Sequence, residues 1–114
     1  MLEKRIKKYL CENARHAQPV TYQALAKALK LMPPNTIQQL TVALEHLIEE
    51  DAANDRPLIA AFVISKARGG LPAPGFFECA QRVGRFQGHH SGPDASAYFK
   101  TEFNRAVEFW QSPS

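Results

Sequence analysis

The chain has 114 residues, a formal net charge of +3 at pH 7, 45% hydrophobic residues and 22% charged residues. That balance suits one folded domain over residues 1–114 and is wrong for a disordered segment. The longest apolar run, Leu58 to Ile64, is far short of the roughly 20 residues that a membrane-spanning helix needs, and the two cysteines, Cys11 and Cys79, stand in no metal-ligand spacing, so a cytoplasmic setting without membrane contact is expected.

The opening Met-Leu-Glu-Lys-Arg-Ile-Lys-Lys has neither an apolar centre nor a cleavage site and does not read as a signal peptide. Leu2, Ile6, Leu10 and Ala14 recur every fourth residue with Tyr9 beside them, which predicts an amphipathic helix over 2–16. Lys4, Arg5, Lys7 and Lys8 fall largely outside that stripe, and Gln18-Pro19 ends the helix. Thr21 is a good N-cap for a short second helix with Leu25, Ala28 and Leu29 inward. Pro33 and Pro34 stop it.

A longer third helix is expected from Asn35 to about Asn54, with Asn35 and Gln38 forming a capping box. Its apolar stripe is Ile37, Leu40, Ala43, Leu44, Leu47 and Ile48, and its second half is acidic: Glu45, Glu49, Glu50 and Asp51. Leu58 to Ile64 reads as a buried strand. Ser65 to Gly70 is a polar, glycine-bearing tip, and Leu71 to Gly75 a proline-rich exit. Phe76, Ala80 and Val83 predict a helix over 73–86, and Gln87 to Pro93 a loop. Asp94 is placed to cap a last helix whose stripe is Phe99, Phe103, Ala106, Val107 and Trp110.

Short helix, turn, longer helix, strand and basic glycine loop is the order of a winged helix-turn-helix. The expected fold is therefore mostly α with a small β-sheet: a winged-helix core over 1–75 and two additional C-terminal helices over 76–114. The aromatic stripe of the last helix serves the core or a homodimer interface. Charge follows the same division. Residues 1–30 carry seven basic and two acidic groups, residues 31–60 one basic and five acidic, and residues 61–90 four basic and one acidic.

Winged-helix logic points the third helix into a major groove, N-terminus first. The polar residues there are Asn35, Thr36, Gln38, Gln39 and Thr41. Asn and Gln can pair with adenine edges, and Thr can meet a thymine methyl. Capping gives Asn35 and Gln38 a local task, whereas Gln39 and Thr41 have none, so the latter pair are the expected base readers. The acidic half must point away from phosphate, which leaves only an end-on approach. Lys66 and Arg68 form the expected wing, and Lys4 and Lys8 supply further backbone contacts. The expected function is non-enzymatic binding of duplex DNA, without cofactor or metal. The competing class is a protein-interaction module that uses the acidic helix and the proline-rich 71–77 segment. A third class, a cysteine- or metal-dependent enzyme, would have to use Cys79 and the His89-His90 loop. Against it, Cys79 sits mid-helix where a small buried hydrophobe fits, and adjacent histidines rarely share a metal.

The segment Pro19-Val20-Thr21-Tyr22-Gln23-Ala24-Leu25-Ala26-Lys27-Ala28-Leu29 resembles the opening of the first helix of many winged helix-turn-helix domains. It is particularly similar to the DNA-binding domain of alkylguanine alkyltransferases and alkyltransferase-like proteins, over about 50 residues. The resemblance implies a DNA-binding scaffold, as in a bacterial regulator or accessory factor. It does not imply alkyl transfer. The family's Pro-Cys-His-Arg box falls where this chain reads Ile64-Ser65-Lys66-Ala67-Arg68, without a cysteine. Arg68 to Arg85 also resembles a signature of a small bacterial family.

Overall fold

The computed structural model describes residues 2–90 and 92–111. Among these the order is α1 (Leu2–Ala14), β1 (Val20–Thr21), α2 (Tyr22–Ala28), α3 (Thr36–Ala53), a 3₁₀ turn (Ile59–Phe62), β2 (Val63–Ile64), a second 3₁₀ turn (Lys66–Arg68), α4 (Pro74–Arg82) and α5 (Pro93–Gln111). The protein is mostly α-helical with a small sheet. No helix among the described residues is long and apolar enough to cross a membrane.

The helices form where the periodicity places them. Ile6, Leu10 and Ala14 of α1 are fully buried. Thr21 caps α2, its Oγ1 accepting the Ala24 N–H at 3.1 Å. Ala28, expected to face inward, is exposed, while Tyr22, Leu25 and Leu29 are buried and Ala26 packs against the core. The fourth helix is shorter than the spacing suggests. Gly84 takes a left-handed φ of 82°, and Arg85 N–H reaches back to Ala80 O at 2.8 Å. Such a pair closes a helix with a glycine just beyond its end. The last helix begins at Pro93, so Asp94 lies inside its first turn rather than at the cap. A carboxylate there favours the helix dipole equally well.

The largest correction concerns Leu58 to Ile64. Only Val63 and Ile64 are strand, and they pair in parallel with Val20 and Thr21. Ile59 to Phe62 coils into a 3₁₀ turn instead. The reason is burial on every side. Leu58, Ile59, Ala61, Phe62 and Val63 are all fully buried, and the turn packs against α1, α3 and α5. A compact turn can present apolar side chains in all these directions, whereas a strand offers only two faces. The tip after β2 also departs from expectation. It is a 3₁₀ turn closed by Ser65 N–H to Leu71 O at 2.8 Å, and no strand returns from it to the sheet.

One hydrophobic cluster runs from Ile6 through Phe62 to Phe77, Phe86 and Ala106. The aromatic stripe of α5 packs against it: Phe103 meets Phe62 edge-on at 5.5 Å, and Phe99 and Trp110 are partly buried.

Two carboxylates sit inside this apolar centre. Asp51, at the end of α3, and Glu102, in the middle of α5, are each 1% exposed. Glu102 accepts the Leu58 N–H at 2.7 Å, and Asp51 accepts the Ile59 N–H at 3.0 Å. Arginines balance both charges. Arg56 lies 3.1 Å from Asp51, while Arg105 and Arg85 lie 3.3 Å and 3.6 Å from Glu102. Removing one partner of such a pair leaves uncompensated buried charge. Glu102→Ala should therefore destabilise the fold by about 3–5 kcal/mol. Glu102→Gln, which keeps an acceptor for the Leu58 N–H, should cost clearly less. Urea unfolding measures both, and equal losses would show that the Leu58 bond contributes nothing.

Candidate functional site

The end of the molecule formed by the α2–α3 turn and the first two turns of α3 holds most of the polar residues expected to act. Arg5 of α1 fixes this turn from the side by donating to Leu29 O. The chain then passes through Met32, Pro33 and Pro34 to Asn35.

Asn35 lies in the left-handed region, with φ 63° and ψ 38°, and its side chain makes no capping bond. An N-cap side chain folds back on its helix from extended backbone, which this conformation does not provide. The expected capping box with Gln38 is therefore absent. Gln39 has a different local task. Its Nε2 donates to Met32 O at 3.2 Å and Pro34 O at 3.0 Å, tying the turn to the helix. Thr41 donates its hydroxyl to Ile37 O at 2.9 Å. The allocation expected from sequence is thus reversed. Gln39 and Thr41 are engaged locally, while the side chains of Asn35 and Gln38 are exposed and carry no such bond. Thr36 is half-buried at the first helical position.

Val42, one turn beyond Gln38, is 48% exposed. An open groove runs between this face and the start of α1, lined by Leu2, Glu3, Pro34, Gln38 and Val42. On α1 itself Lys4 and Lys8, one turn apart, are exposed.

The acidic half of α3 is largely neutralised. Glu49 pairs with Arg82 at 3.0 Å, Glu50 with Arg56 at 3.1 Å and Lys7 at 3.6 Å, and Asp51 with Arg56. Glu3 pairs with His46 at 3.0 Å. Glu45 turns toward Gly75, near the start of α4, where a helix N-terminus favours a carboxylate.

The two expected wing cations part company. Lys66 is exposed. Arg68 folds inward, donating to His90 O, with its Nη1 3.4 Å from His90 Nδ1 and its guanidinium 5.9 Å from the centre of the Phe77 ring. Gly69 and Gly70, at φ 64° and 95°, make the sharp turn that sends the chain back.

Cys79 is 1% exposed, and burial pushes its thiol up despite Arg82 Nη2 at 3.2 Å. The rings of His89 and His90 stack at 4.4 Å. Among the described residues no group of three or more His, Cys, Asp or Glu is placed to hold a metal ion. A pocket between Tyr22, Glu45 and Phe76 measures about 50 Å³, well below the roughly 300 Å³ at which small-molecule sites begin.

Comparison with known proteins returns no match: no family model, no curated protein and no solved structure matches the chain.

The Glu3–His46 pair joins α1 to α3 beside the groove, and its titration reports that junction. The hydrogen bond from Glu3 raises the imidazole above 6.5, and the bond to His46 holds Glu3 below the ordinary carboxylate value. A raised imidazole contributes its full stability below the unfolded value and loses it as pH rises through the folded one. A lowered carboxylate contributes above its unfolded value and loses that as pH falls. The pair therefore acts between the carboxylate and imidazole ranges. In an NMR pH series His46 should titrate above 6.5, and Glu3→Gln should bring it down. An unchanged midpoint would mean that the two side chains do not meet in solution.

Proposed function

We propose that this chain is a non-enzymatic DNA-binding protein, a regulator or accessory factor built on a winged helix-turn-helix plan. In this reading α2, the Leu29–Asn35 turn and α3 form the docking unit. The start of α3 enters the major groove end-on, and the outer face of α1 follows the phosphate backbone.

The observation that carries the reading is the segregation of charge. Lys4 and Lys8 are exposed on the helix whose start lines the groove, and Arg5 stands against the end of α2, next to exposed Lys30. The carboxylates that would repel phosphate are turned to partners within the fold: Glu3 to His46, Glu49 to Arg82, Glu50 to Lys7 and Arg56. Glu12 is also exposed on α1 but lies toward that helix's other end, so beside the groove exposed cations stand next to paired carboxylates, an arrangement that suits a polyanion. Lys66 is the cation left to the wing. Arg68 positions the loop rather than reaching outward.

A protein partner is the second reading, favoured by one observation. Met32 is 75% exposed and Ile37 39% exposed, so an apolar edge lies on the same end of the molecule. The acidic helix and the 71–77 segment support it less well. Glu49, Glu50 and Asp51 are paired, and Pro72, Phe76 and Phe77 are buried.

Fluorescence anisotropy against labelled duplexes over a range of salt separates the two. Binding should weaken steeply with added salt as counterions return to the phosphates. Replacing Lys4 and Lys8 together by alanine should weaken every duplex alike and reduce the salt slope by about one for each lysine. No duplex binding at about 50 mM salt would leave the protein-partner reading standing.

A further inference from the structure

Among the polar residues on the first two turns of α3, those able to reach another molecule are fewer than the sequence suggests. Gln39 spends both amide hydrogens on Met32 O and Pro34 O. Thr41 bonds its own helix through Ile37 O. Asn35, just before the helix, and Gln38 remain, with apolar Val42 one turn beyond Gln38. Gln38 and Val42, four residues apart, share one face of α3, and Asn35 lines the same groove. All three are exposed, and Gln38 and Val42 line the open groove beside α1.

We propose, resting on the duplex-binding reading above, that the Asn35–Gln38–Val42 stripe is the base-reading surface of this protein and that it selects A·T pairs in the major groove. The chemistry of the stripe is two carboxamides followed by a branched methyl group. A carboxamide is both donor and acceptor and matches adenine, which offers the N7 acceptor and the N6 donor side by side. Guanine offers two acceptors at that edge and calls for arginine or lysine, neither of which lies on this stripe. The Val42 methyls one turn along from Gln38 meet the C5-methyl of thymine, a group that cytosine lacks. Charge complementarity names the occupant. Lys4 and Lys8 are exposed on α1, whose first turn lines the same groove, and of the carboxylates around it Glu3 and Glu49 are held by His46 and Arg82 while Glu45 turns toward Gly75.

The test uses the full chain and three alternating polymers: poly(dA-dT), poly(dA-dU), which lacks only the thymine methyl, and poly(dG-dC). The parent protein should prefer poly(dA-dT) over poly(dG-dC) by roughly fivefold to a hundredfold. It should bind poly(dA-dU) several-fold more weakly than poly(dA-dT). Val42→Ser should abolish the difference between the thymine and uracil polymers, and Gln38→Ala should shrink the preference over poly(dG-dC). Both side chains are exposed, so thermal melting of the two variants should match the parent.

Equal, salt-dependent binding to all three polymers would overturn the base-reading assignment and leave duplex binding intact. So would a Val42→Ser protein that still distinguished thymine from uracil. Absence of binding to every polymer at low salt would overturn both readings and point to a protein partner at the same face.

Discussion

The structure depends on two buried carboxylates that take hold of one stretch of backbone. Leu58 and Ile59 begin a turn that lies in the centre of the apolar core. Their amide hydrogens would be costly to leave unpaired there. Glu102 and Asp51 accept them, one from α5 and one from the end of α3. Each carboxylate is expensive to bury and is offset by arginines at the rim: Arg85 and Arg105 for Glu102, Arg56 for Asp51. Burial still wins at Asp51, whose carboxyl stands above the ordinary value in spite of Arg56 and the Ile59 N–H. The turn thus clamps together helices far apart in the chain. Arg85 extends the clamp by donating to Arg56 O at 2.7 Å, which ties the loop after α4 to the loop after α3.

From that centre the charge pattern of the surface follows. α3 lies between α1 and α4, and each neighbour supplies cations to its acidic half: Lys7 from α1 and Arg82 from α4. The outward-facing lysines of α1 have no comparable partners among the ion pairs of the described residues. An amphipathic helix with basic residues on two faces has one of them neutralised by packing and the other left to solvent. Exposed pairs of this kind contribute little stability each. Their consequence is electrostatic, since they decide which sign of charge the face beside the α3 start presents.

Local backbone geometry then divides labour among similar side chains. Asn35, Gln38 and Gln39 are all carboxamides within five residues. The left-handed conformation at Asn35 removes its capping role, and Gln39 donates its amide to the carbonyls of Met32 and Pro34. One carboxamide becomes a brace, and two stay available. The glycine tip shows the same division: Lys66 stays outside, while Arg68 becomes a strut against His90 and Phe77.

Sequence alone determined the helices, because each carries an apolar repeat that only a helix can bury on one side. Ile6, Leu10 and Ala14, then Leu40, Leu44, Leu47 and Ile48, are buried as their spacing requires. It also determined the N-cap at Thr21, where one residue's chemistry suffices, but not the helix ends at Ala28 and Arg82, which left-handed Lys30 and Gly84 close. It did not determine the shape of Leu58 to Ile64, since an apolar run has no period and its conformation depends on how many sides are covered. It did not reveal Glu102 as a buried anchor, although a carboxylate beside the aromatic stripe of α5 was the visible sign. Nor did it tell Gln38 from Gln39. A hydrogen bond to a particular carbonyl depends on where the preceding turn places that carbonyl, and three-dimensional packing alone decides that.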